Sequence, residues 1–240
     1  MKKPPKKAKS SEKNSISPEK KPLFDTVIFD WDGTLADTRK AILVSFHKAL
    51  DIVGCQVSDE YIERRIGIGA ADTFREILLS AGLPFDEKVV RELVERKSAV
   101  QVELSGEVQL FDGARELLEA LQGKVKVGLA SMNNRLVILN LLEKNHVADC
   151  FQKVLTVESV SHSKPDPEVF LKTASALKSN PERCVVLEDS IFGVKAAKSA
   201  NMGCIAVTTG VYSIQELEPE KPDLIVKSLK DPEILSFILQ

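Results

Sequence analysis

The chain has 240 residues, 43% of them hydrophobic, which is enough for one large domain or a domain carrying an insertion. Twelve glycines, eleven prolines and four cysteines exclude collagen-like, fibrous and small disulfide-stapled classes. With 33 Lys and Arg against 35 Asp and Glu, total charge gives no reason to expect a polyanion or an acidic membrane as partner.

Residues 1–22 break that balance, holding eight lysines against two glutamates and almost nothing apolar. Such a segment cannot offset the entropy of ordering and is expected to be a disordered Lys-rich tail. No apolar stretch follows it as in a secretory signal, and no run of about 18 apolar residues exists to span a bilayer. The expectation is a cytoplasmic protein with no membrane partner and no specific nucleic-acid partner, a tail contact with RNA being left open; oligomeric state is not legible. Cys55, Cys150, Cys184 and Cys204 lack C-x-x-C spacing and read as small core residues in a reducing compartment.

From Leu23 to Phe29 the chain is rich in β-branched and aromatic residues, the composition of a buried strand. Residues 39–105 then offer four helical patterns, near 39–53, 59–66, 71–81 and 87–103, and no convincing strand. In the first, Ile42, Phe46, Ala49, Leu50 and Val53 share one face, as in a helix that packs against others. This predicts a helical cap over 39–105 inserted into a core formed by 23–38 and 106–240. In the core, a helix over 114–122 ends at Gly123, and apolar runs at Val125 to Ala130, Val154 to Val157, Cys184 to Leu187, Cys204 to Val207 and Leu224 to Val226 alternate with helical stretches near 135–144, 168–178 and 191–200. Strand alternating with helix predicts an α/β fold, a Rossmann-like parallel sheet covered on both faces.

Ligands of such sheets sit at the carboxyl ends of the strands. The first strand runs into Asp30-Trp31-Asp32-Gly33, two carboxylates beside a residue that lets the chain turn sharply. The second ends at Ser131, followed by Met132, Asn133 and a helix start, where a hydroxyl and free backbone N–H groups suit a phosphate. Lys164 precedes Pro165, which keeps it out of helical geometry, and Asp166 and Pro167 suit the N-cap and first position of the next helix. A further strand delivers Glu188 and Asp189. If Asp30, Asp32, Glu188 and Asp189 converge, each pair at about 4 Å repels by roughly 4 kcal/mol at an effective dielectric near 20, so a cation is required. An all-oxygen set with room for water suits Mg2+ bridging to a phosphate.

Four motifs, FDWDGTLADT (29–38), LASMNN (129–134), SKPDPEVF (163–170) and VVLEDSIFGVKAAKSA (185–200), together resemble the haloacid-dehalogenase-like hydrolase superfamily. The resemblance is to members with a helical cap after the first strand, such as phosphoglycolate phosphatases and β-phosphoglucomutases, and covers roughly residues 23–210. It implies that Asp30 is the nucleophile forming an aspartyl phosphate and that Asp32 is the general acid and then base. Ser131 and Lys164, with the Met132–Asn133 turn, would hold phosphate, while Asp30, the Asp32 carbonyl, Glu188 and Asp189 hold Mg2+. Asp32 argues against dehalogenation, since the dehalogenases lack it.

The mutases use a cap cation and a cap histidine where this chain has Ala70 and Ile42, so a phosphatase acting on a small phosphorylated metabolite is expected, with a phosphosugar mutase or a phospho-switch without turnover as alternatives. Asp112-Gly113 and Asn201 depart from the family pattern outside the chemistry, Asn201 at an expected left-handed turn. Trp31 reads as a packing residue, and the three histidines lack metal spacing.

Overall fold

The computed structural model describes Met1 and residues 23–240. The Lys-rich tail expectation therefore lies outside the described residues. Strand β1 (Thr26–Phe29) is wholly buried and is followed by a two-residue strand, β2 (Ala36–Asp37). The helical stretch comes next, as α1 (Arg39–Leu50), α2 (Asp59–Glu63), α3 (Ala70–Ser80) and α4 (Glu87–Glu103). Ser58 and Asp86 cap α2 and α4 by accepting from backbone N–H groups of the first turn.

The chain then returns through β3 (Gln109–Leu110), α5 (Ala114–Leu121), β4 (Lys126–Ala130), α6 (Arg135–Lys144) and β5 (Lys153–Leu155). It finishes with α7 (Glu168–Ala176), β6 (Cys184–Glu188), α8 (Ile191–Ser199), β7 (Gly203–Val207), α9 (Ile214–Leu217), β8 (Leu224–Val226) and α10 (Pro232–Leu239).

Six strands form one parallel sheet in the order β5-β4-β1-β6-β7-β8. Strand β1 is central, and the chain winds away from it to one side through β4 and β5, then to the other through β6, β7 and β8. That reversal of winding opens a crevice at the carboxyl end of β1. Register aligns Phe29 with Leu129 on one side and Leu187 on the other, so Asp30, Ser131 and Glu188 emerge at nearly one level. The Asp30 N–H donates to Leu187 O at 3.0 Å, carrying the sheet one residue further.

Apolar residues cover both sheet faces, as parallel strands require. One side packs Phe29, Trp31, Leu118, Leu129 and Ile138; the other packs Ile28, Phe170, Val186, Val194 and Ala197. The helices between β2 and β3 keep a core of their own, built on Ile42, Phe46, Leu50, Phe74, Ile77 and Leu93. The Phe46 and Phe74 rings lie 4.8 Å apart.

Three cysteines, Cys55, Cys184 and Cys204, are buried and all four are free, as the spacing led us to expect. Asn201 adopts φ 56°, the left-handed conformation its position called for. The structure departs from expectation in the antiparallel ribbon of β2 and β3, in α10, and in α2, which stops at Glu63 rather than near 66. Glu168 is the first residue of α7, where the helical stretch was expected to begin, its N–H donating to the Asp166 carboxylate at 2.9 Å, but Pro167 rather than Asp166 takes the N-cap position.

Candidate active site

After β1 the chain wraps around one carbonyl. The N–H groups of Thr34, Leu35 and Ala36 all donate to Trp31 O, at 3.3, 3.1 and 3.2 Å. Gly33 makes this turn with φ 85°, and a Cβ there would stand 2.4 Å from Asp189 Oδ2, so only glycine fits. The Trp31 ring is buried in the sheet core, as a packing residue should be. Asp30 and Asp32 are thus held on a rigid strand end, both buried.

The Lys164 side chain is completely buried between two carboxylates. Its ammonium donates to Asp30 Oδ1 at 2.6 Å, Glu188 Oε1 at 2.7 Å and Ala130 O at 3.2 Å. Burial alone would favour loss of its proton, but the two carboxylates outweigh it and hold the amine above its ordinary range. The other Glu188 oxygen accepts from Asp189 N, Ser190 N and Ser190 Oγ, each at 3.0 Å. Gly193 makes room for it, because a Cβ there would overlap the Glu188 carboxylate at 1.8 Å. Asp189 in turn accepts from Thr34 Oγ1 at 2.9 Å.

Asp30, Glu188 and Asp189 can each offer an oxygen to a common point, these atoms lying within 4.8 Å of one another. Burial pushes Asp30 up to about 8, with Glu188 and Asp32 adding to the effect and Lys164 opposing it. Asp189 is raised well above the usual carboxylate range, again by burial first, then by Glu188 and Asp30.

The Asp32 carboxylate stands on a different flank, where Ser131 Oγ approaches it at 3.4 Å and Asn133 Nδ2 at 3.3 Å. The side-chain group suited to a cation therefore comprises three carboxylates rather than the four expected to converge. The reason is local: the Asn133 amide and a nearby ammonium attract Asp32 to their side. Burial raises its pKa, with Lys97, Thr38 and Asn133 pulling the other way. Ser131 Oγ also accepts from Asn133 N at 3.0 Å, and Asn134 caps α6.

That ammonium is Lys97 of α4, which sequence reasoning missed. It is 5% exposed, donates to Gln101 Oε1 at 2.5 Å and to Asn133 Oδ1 at 3.5 Å, and lies 5.2 Å from the centre of the Phe46 ring. Burial lowers its pKa to about 8, with Asp32 opposing. A signal existed: Val90, Leu93, Lys97 and Val100 recur at helical spacing, so the lysine falls on the apolar face of α4.

Residues 27–207 match the haloacid dehalogenase-like hydrolase family. This chain belongs to that family. The phosphorylated carbohydrates phosphatase of Thermotoga maritima is 32% identical over 218 residues, covering 90% of this chain and 98% of its own. The β-phosphoglucomutase of Bacillus subtilis is 28% identical over 211 residues, covering 85% of this chain and 90% of its own. A hydrolase structure from Pseudomonas syringae aligns with a TM-score of 0.83 at 25% identity, covering 90% of this chain and 100% of that one. The haloacid dehalogenase-like hydrolase described here thus stands among phosphatases and phosphomutases, and is a phosphoric monoester hydrolase by family.

A cavity of about 30 Å3 in this hydrolase joins the two carboxylate flanks. Asp30, Asp32, Asn133 and Met132 line its floor, Ile42, Phe46, Ala70 and Lys97 come from the helices above, and Arg65 and Ile66 from the turn between α2 and α3. Arg65 is engaged by Glu76 at 2.7 Å and the Tyr61 carbonyl at 3.2 Å. Among the buried groups of the site, four carboxylates face two ammoniums, Lys97 and Lys164, so full ionisation, which burial opposes, would leave two negative charges for a cation to offset. The donor set and this charge both fit one divalent cation with hard oxygen ligands.

Proposed function

We propose that this chain is a Mg2+-dependent phosphatase that hydrolyses a small phosphomonoester through an aspartyl phosphate on Asp30. The observation that carries the reading is the fully buried Lys164 ammonium, fixed at 2.6 Å on Asp30 and 2.7 Å on Glu188 beside a three-carboxylate cluster. Such a grouping is costly to fold unless it serves an anion and a cation at once.

Asp30, Glu188 and Asp189 would hold Mg2+ with the Asp32 carbonyl, and the ion supplies charge neutralisation for phosphoryl oxygens. Lys164 orients Asp30 and faces the transferring phosphoryl group, with Ser131 and the Met132–Asn133 turn on its other side. A carboxylate oxygen of Asp30 attacks phosphorus while the ester P–O bond breaks, and the proton of Asp32 passes to the leaving oxygen. Asp32 then takes a proton from water, whose oxygen attacks phosphorus, releasing phosphate and restoring Asp30. Burial keeps Asp32 protonated more readily than a surface carboxylate, which suits its first task.

Residues 39–105 act as the cap, and 23–38 with 106–240 as the catalytic core. Hydrolysis is favoured over phosphosugar transfer because Ile42 and Ala70 present apolar walls to the cavity. The substrate is a phosphorylated metabolite of the kind named for the Thermotoga relative, or a compound as small as phosphoglycolate. A panel of phosphorylated metabolites, assayed with and without Mg2+ on the wild type and on Asp30→Asn, tests this reading. Mg2+-dependent phosphate release by the wild type is expected, with at least about a thousandfold loss in the variant. Turnover by D30N at the wild-type rate excludes the proposed nucleophile.

A further inference from the structure

On the far side of Ile66 from the substrate cavity lies a second one of about 120 Å3, and Ile66 lines both. Asp189 and Thr38 line it deep in the protein, where both are almost wholly buried, whereas Asp37 and Arg39 line it at the exposed surface. It therefore runs from solvent to a carboxylate of the proposed cation site.

Its volume and its mouth give this passage a character. One water needs only about 10–15 Å3 of such volume, so this cavity holds several. The mouth carries charge. Arg39 is held by Glu63 at 2.6 Å, while among the described residues Asp37 accepts a bond from the Arg39 backbone N–H and joins no ion pair. The rim thus offers a cation an exposed carboxylate.

We infer that this cavity is an aqueous port by which a divalent cation and its waters reach and leave Asp189 while the helices are closed over substrate. The inference rests on reading Asp30, Glu188 and Asp189 as cation ligands. Protein-bound Mg2+ keeps several waters, and the 30 Å3 cavity accommodates only about two even before substrate enters. The second cavity has room for a hydration shell and touches Asp189 without crossing the substrate's path. Bonds between helices and core hold the two together: Ser163 Oγ donates to Asp72 at 2.6 Å, and the Tyr212 hydroxyl donates to Arg64 O at 2.7 Å.

The test uses the full chain with saturating inorganic phosphate and Mn2+ as the probe. Association and dissociation are followed by stopped-flow quenching of Trp31, the one tryptophan, and equilibrium binding by electron paramagnetic resonance of free Mn2+. Val211 lines the port without belonging to the catalytic set, so Val211→Phe is expected to slow both rates about tenfold while leaving the equilibrium constant within about twofold. Asp37→Asn, an exposed change, is expected to slow association about threefold at low salt, with the difference fading as salt rises. Val211→Phe and Asp37→Asn both exchanging Mn2+ at wild-type rates would overturn the port. No Mn2+ binding by the wild type overturns instead the cation-site reading beneath it.

Discussion

Lys97 is a charge the fold tolerates for a purpose. Its pKa falls from 10.5 to about 8, so between those values the unfolded chain binds more protons than the folded one, and stability rises with pH. Below pH 8 the buried ammonium costs about 3 kcal/mol. Lys97→Met is therefore expected to be more stable than the wild type at pH 7 by up to about that amount, and to lose the gain near pH 10.5. Urea unfolding at pH 7 and 9.5 reads this directly, and the same variant should lose phosphatase activity because Asp32 loses its neighbouring cation.

Gly193 gives a second prediction at this scale. A methyl group there displaces the Glu188 carboxylate and with it one anchor of Lys164, so Gly193→Ala should lower turnover about a hundredfold with the secondary structure intact by circular dichroism.

Asp30, Glu188, Asp189 and Lys164 were legible because each follows a run whose apolar composition marks a buried strand or stands beside a proline that fixes the backbone. Lys97 was not, because Arg91, Glu92, Glu95 and Arg96 surround it in the chain and make the stretch resemble a solvated helix face. Its burial is decided by a partner, Asn133, that lies 36 residues away.

Between elements, the contact of helices with the core is held by a small group around Tyr212. Its hydroxyl donates to Arg64 O, the Arg64 guanidinium lies 4.4 Å from its ring centre, and Arg64 also pairs with Glu216. The Arg64 and Glu216 side chains are both more than a third exposed, so that pair contributes at most about 1 kcal/mol. The buried Tyr212 bond contributes about as much and is better shielded. Tyr212→Phe should raise KM about fivefold with kcat little changed, as expected of a change in closure rather than chemistry; steady-state kinetics on the best substrate decides.

Element reading succeeded where periodicity was long, as in α4, and failed for β2 and β3, whose two residues each carry no period at all. Helix α10 did have a signal, Asp231 at its N-cap and Pro232 at its first position, beside an apolar run.

For the whole molecule, the crowding of buried carboxylates at Asp30, Glu188 and Asp189 predicts a strong link between cation binding and folding. Free Mg2+ at a hundred times its dissociation constant should stabilise the fold by about 2.7 kcal/mol, raising Tm by roughly 5–10 °C over the chelated protein in a thermal melt. Equal Tm values with Mg2+ and with chelator would argue against a cation at Asp30, Glu188 and Asp189.

The arrangement of the sheet was readable from alternating strands and helices, since a parallel sheet covered on both faces leaves few other windings. How the helices rest on the strand ends was not readable, because it depends on single bonds such as Asp72 to Ser163, 91 residues apart.

The ribbon of β2 and β3 pairs Ala36 with Leu110 and Asp37 with Gln109, so the chain leaves for the helices and comes back at adjoining points. Since those helices also have an apolar centre of their own, the stretch between the two strands behaves as an interchangeable cassette. Grafting the corresponding stretch of a relative at this seam should transplant substrate preference while leaving the bond-breaking apparatus as it stands.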